Sequence, residues 1–140
     1  MNIGVVVEET NTEELVTQLI EELRSQKPLH RVHRRLIREI ESRMCGESYH
    51  EDGDDQTDID DLMEALSEYA PPYFRFRKER WSYGYFLSSS FDEEFDGLHV
   101  TDLSAVPRGY VGEVVVVNDH GNMTLYAYSR RRKRELWAIV

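Results

Sequence analysis

The sequence predicts an α+β protein, with N-terminal helices packed on an antiparallel β-sheet formed mainly by residues 73–140. Three observations carry this expectation. Apolar residues recur at helical intervals as far as Tyr69. Pro71-Pro72 then stops the pattern, because proline cannot continue a helix and restricts the residue before it. Beyond that break the period falls to two, and three short apolar runs follow, GEVVVV, MTLYAYS and ELWAIV, separated by NDHGN and RRRKR. Residues 1–140 are expected to form a single domain, helical over 1–70 and β-rich over 71–140.

Taken in order, Ile3–Val7 reads as a first strand or a flexible lead-in. Thr10 and Asn11 each have a Glu three residues on, Glu13 and Glu14, which is the capping-box spacing, and Leu15, Val16, Leu19, Ile20 and Leu23 follow at helical intervals. This predicts a helix over about 12–25. Pro28 suits the first turn of a second helix, over about 28–45, with Leu29, Val32, Leu36, Ile37, Ile40 and Met44 as its apolar positions. Arg31, Arg34, Arg35 and Arg38 share another face of it. Glu47–Gln56 reads as an acidic loop, and Thr57 or Asp58 as the cap of a third helix over about 58–69. Leu15, Leu19, Leu36, Ile40, Leu62 and Leu66 are expected to cover one face of the sheet. Tyr73–Arg77 and Tyr83–Leu87 predict a hairpin turning through Lys78–Ser82, and Leu98–Val100 a short strand. Val114–Val117, apolar at every position, is expected at the centre of a closing meander.

The chain is long enough for one proper core, and 40% hydrophobic with 31% charged residues is a globular composition. A net charge of −10, from 27 acids against 17 bases, disfavours nonspecific nucleic-acid binding and favours either plain solubility or a basic partner. No apolar run approaches the roughly 20 residues of a membrane span, and residues 1–7 lack the basic and apolar regions of a secretory signal. With Cys45 as the only cysteine, a reducing, cytoplasmic setting is expected.

Several groupings invite chemistry. An EF-hand register from Asp52 puts Thr57 where the sharp turn needs Gly and Met63 where a bidentate Glu is needed. His30, His33, Cys45 and His50 can be drawn as a zinc set, but Arg31, Arg34 and Arg35 would repel the cation. Neither a metal nor a cofactor is therefore expected. Asp119 and His120 offer acid–base chemistry, although NDHGN between two strands is also what a tight turn demands. Arg75, Arg77, Trp81 and Tyr83 could stack single-stranded nucleic acid on a sheet. The run Arg130–Arg134 has no turn-forming residue, and an acidic surface nearby would relieve its repulsion.

The segment Phe95–Tyr126, with its V-N-D-H-G-N-x-T-L-Y run, resembles small uncharacterised proteins of bacteriophages and mobile elements. The resemblance carries over no activity and no site residue. It implies a phage or prophage accessory setting, in which many small acidic products inhibit host proteins.

The leading expectation is a non-enzymatic acidic binding protein, an inhibitor of a host nucleic-acid-handling or defence protein with a basic surface. Its contact residues would be Asp52, Asp54, Asp55, Asp58 and Asp61, with Arg130, Arg131, Arg132 and Arg134 as a second contact that also admits a homo-oligomer. Single-stranded nucleic-acid binding through strands 73–85 and a small enzyme using Asp119 and His120 are the alternatives.

Overall fold

The computed structural model describes residues 2–49 and 53–140. It is an α+β protein that divides into two compact units, Asn2–Ser88 and Ser89–Val140, each with its own sheet. The single sheet expected from residues 73–140 is thus two sheets. The hairpin after Pro72 pairs back onto the N-terminal strand instead of forward onto the meander.

In the first unit, β1 (Gly4–Glu8), β2 (Phe74–Glu79) and β3 (Ser82–Leu87) form an antiparallel sheet of order β1-β3-β2. The central strand requires Gly84. A Cβ there would overlap the Gly4 carbonyl oxygen and lie 2.9 Å from Val5 Cα. Helix α1 (Thr12–Arg24) starts as its sequence indicates, with the Asn11 side chain accepting from Glu14 N–H. Its buried stripe is Leu15, Val16, Leu19, Ile20 and Leu23.

Helix α2 (Arg31–Met44) begins three residues later than expected, and Pro28 lies outside it, after a cis Lys27–Pro28 bond. Helix α3 (Asp54–Ser67) begins four residues earlier, at a left-handed Gly53. Asp54 and Asp55 therefore sit in its first turn, where carboxylates favour the unsatisfied N–H groups and the helix dipole. Leu15, Leu19, Ile40, Leu62 and Leu66 are buried, whereas Leu36 stays half-exposed.

In the second unit, the short helix α4 (Phe91–Glu94) precedes β4 (Leu98–Val100), β5 (Gly112–Val117), β6 (Met123–Tyr128) and β7 (Lys133–Ile139), in sheet order β4-β5-β6-β7. The meander β5–β7 is antiparallel, but β4 runs parallel to β5, which the purely antiparallel expectation missed. Residues 101–111, with a 3₁₀ turn at Leu103–Ala105, supply the crossover that a parallel pair needs. Val114 and Val115 are fully buried, with Phe91, Phe95, Leu125 and Trp137 completing the core. Phe91 meets Phe95 face to face at 5.2 Å and Trp137 edge-on at 6.0 Å. Among the described residues, no helix is long and apolar enough to cross a membrane.

Candidate functional site: a charged face on two helices

The helices α2 and α3 are held side by side by two polar clamps. At one end, the Arg43 guanidinium bonds both oxygens of Asp58, from Nη2 and from Nε at 3.3 Å, and Tyr49 OH donates to Oδ2 at 2.7 Å. Asp58 is only 2% exposed. Asp58 raises the Arg43 pKa, chiefly through the hydrogen bond. Burial, and then the bond to Asp58, pushes the Tyr49 hydroxyl above its ordinary value.

At the other end, the Tyr69 hydroxyl accepts the His30 backbone N–H at 2.9 Å and lies 2.7 Å from His33 Nδ1. Glu68 takes the other ring nitrogen of His33. If Tyr69 donates its one proton to Nδ1, Nε2 carries the hydrogen that Glu68 receives, and every group is satisfied. Since His33 meets Glu68 while Arg43 meets Asp58, the two helices run antiparallel.

Between the clamps lies an open groove of about 440 Å³. Val32, Leu36 and Ala65 line it with apolar surface, Arg35 and Glu39 border it on α2, and Asp61, Glu64 and Glu68 border it on α3. Helix α2 turns His33, Ile37 and Ile40 inward, so Arg31, Arg34, Arg35 and Arg38 are all exposed. None of these four arginine side chains has a hydrogen bond or ion pair among the described residues. The same holds for the exposed Asp54, Asp61 and Glu64 of α3. Exposed arginines of α2 and exposed acids of α3 thus lie to either side of one apolar seam, with Arg35 and Glu39 together at its α2 edge.

The expected acidic contact set fits this face only in part. Asp54 and Asp61 are exposed and Asp55 is half-buried, while Asp52 lies outside the described residues. Asp58 must be removed from the set, because it is interior and committed to Arg43 and Tyr49. It lies on the face of Ile59, Leu62, Ala65 and Leu66, a placement its spacing could have shown.

Arg130, Arg131, Arg132 and Arg134 are exposed around the β6–β7 turn, which Ser129 N–H closes onto Arg132 C=O at 2.8 Å. Arg130, Arg131 and Arg132, with Lys133, Arg108, Tyr110 and Tyr128, line a second groove, of about 350 Å³. Backbone pairing explains how a turn without Gly, Asn, Asp or Pro can form.

The nucleic-acid set divides between two faces. The two-residue turn Arg80–Trp81 pairs Lys78 with Tyr83, Arg77 with Gly84 and Arg75 with Phe86. Arg75 and Arg77 therefore project from one face and the buried Tyr83 from the other. Trp81 is 71% exposed at the turn, and Arg77 is engaged by the Phe86 ring at 5.4 Å and by Leu87 C=O at 3.1 Å. No continuous stacking platform results.

Asp119 and His120 are exposed in the β5–β6 turn. Asn118 Oδ1 accepts from His120 N–H and Asn122 N–H, and Gly121 takes φ 80°, so NDHGN is turn chemistry. The loop required for an EF-hand is replaced by the start of α3. His33 has both ring nitrogens engaged, and His50 lies outside the described residues. Among the described residues, no group of three or more His, Cys, Asp or Glu is arranged to hold a metal ion.

Fold and surface together define an α+β protein with a two-signed helical face. Comparison with protein-family models, curated proteins and solved structures yields no match.

Proposed function

We propose that this is a non-enzymatic binding protein that docks a basic surface against the acidic side of α3. The observation that carries the reading is that Asp54, Asp61 and Glu64 are exposed with no ion pair among the described residues, Asp61 and Glu64 at the edge of an apolar seam. A partner that brings cations to them relieves like-charge repulsion and gains long-range attraction during encounter. A phage or prophage setting, which the resemblance of residues 95–126 implies, would make the partner a host protein, and a nucleic-acid-handling or defence protein of the cytoplasm would offer such a basic surface.

Capture from a bacterial lysate tests this at low and moderate salt. The expected result is a basic protein retained by the wild type and lost from Asp54→Asn/Asp61→Asn/Glu64→Gln, with the fold of that variant checked by circular dichroism. Equal retention by both proteins refutes the reading.

A further inference from the structure

We propose that the α2–α3 face is self-complementary and pairs with the same face of a second copy of this chain. The inference rests on the reading of this face as a docking surface and gives it an occupant when the basic partner is absent, a second copy of the chain. Its basis is the arrangement of charge. Arg35 borders the groove on the α2 side, beside Glu39, and Arg31, Arg34 and Arg38 are exposed on the same helix, whereas Asp61, Glu64 and Glu68 make the α3 side anionic. Val32, 63% exposed, and Leu36 lie between them.

A two-fold axis running along the groove sets α2 of each copy over α3 of the other. Because the helices are antiparallel, Arg38 then falls near the level of Glu64, and Arg34 and Arg35 near that of Glu68. Each contact occurs twice. Val32 and Leu36 of the two copies meet on the axis, where water leaves apolar surface. A two-fold axis across the groove would instead stack arginine on arginine and is disfavoured.

Two 14-residue helices present a face about 20 Å on a side, about 400 Å² per copy. That is below the standard size for a permanent complex, so the expected pair is a reversible dimer seen at high protein concentration. Its charge pairs lie at the rim, and salt weakens it.

Sedimentation equilibrium on two charge-reversed variants tests the inference. Arg34→Glu/Arg35→Glu/Arg38→Glu makes both sides acidic, and Asp61→Arg/Glu64→Arg makes both sides basic. Each variant alone is expected to be monomeric where the wild type shows dimer. An equimolar mixture is expected to form a heterodimer, because both α2–α3 contacts become complementary again, an outcome misfolding cannot produce. A wild type that stays monomeric to millimolar concentration at low salt overturns the inference, as does a mixture that remains monomeric. If the mixture fails while Asp61 and Glu64 are still needed to capture a basic protein, the docking surface stands and the second copy is the wrong partner.

Discussion

Removing Arg43 should be the most costly single change on the helical face. Its guanidinium is the cation for Asp58, a carboxylate 2% exposed, and Arg43→Ala leaves that charge with the Tyr49 hydroxyl as its remaining described side-chain partner. Breaking a fully buried pair costs about 3–5 kcal/mol, because the surviving charge stays desolvated. The Arg43 side chain is 39% exposed, so water screens part of the interaction, and the expected cost falls to about 2–3 kcal/mol. For a unit of this size that lowers the melting temperature by about 8–24 °C. Asp58→Asn should cost less, about 1–2 kcal/mol, since the shape is kept and Arg43 can turn into water. Urea unfolding of both single variants and of the double variant measures the coupling directly. A cost under about 0.5 kcal/mol for Arg43→Ala, or additivity of the two changes, refutes a strong Arg43–Asp58 pair.

Two further outcomes follow from the first unit. Gly84→Ala places a methyl group against the Gly4 carbonyl and Val5 Cα, both backbone atoms that cannot swing away. The expected cost is about 1–3 kcal/mol or more, with lost hydrogen-exchange protection in β1, and unchanged protection of Val5 and Val7 contradicts it. Tyr49 and Tyr85 have hydroxyl pKa values raised in the fold, mainly by burial, so the unfolded chain loses these protons first as pH rises. Their contribution is complete below the ordinary tyrosine value of about 10 and is lost above it; Tyr49→Phe should flatten the fall in urea midpoint between pH 9 and 11, about the range where an unfolded tyrosine titrates.

The sequence made local elements legible where one signal dominated. The Asn11 cap, the buried stripe of α1 and the β5–β7 meander all follow from short-range pattern. It misled where a residue's local preference and its tertiary role differ. Asp54 and Asp55 read as loop residues, yet acids are also favoured in the first turn of a helix, and here Gly53 lets the helix begin. The division into two sheets depends on β1 finding β3 across more than 70 residues, which no periodicity encodes. Asp58 read as surface because aspartate usually is, until a guanidinium and a phenol are brought to it. The arginines of α2 were visible as a stripe, but their placement beside the α3 acids required the antiparallel pairing of the two helices.

The exposed acids of α3 are expected to carry recognition. The decisive measurement is the affinity of the wild type and of Asp54→Asn/Asp61→Asn/Glu64→Gln for the captured partner, at about 50 and 300 mM salt. Three interfacial charge pairs predict a loss of about 10- to 100-fold at the lower salt, shrinking at the higher. Equal affinities at both salt concentrations would contradict recognition by these acids.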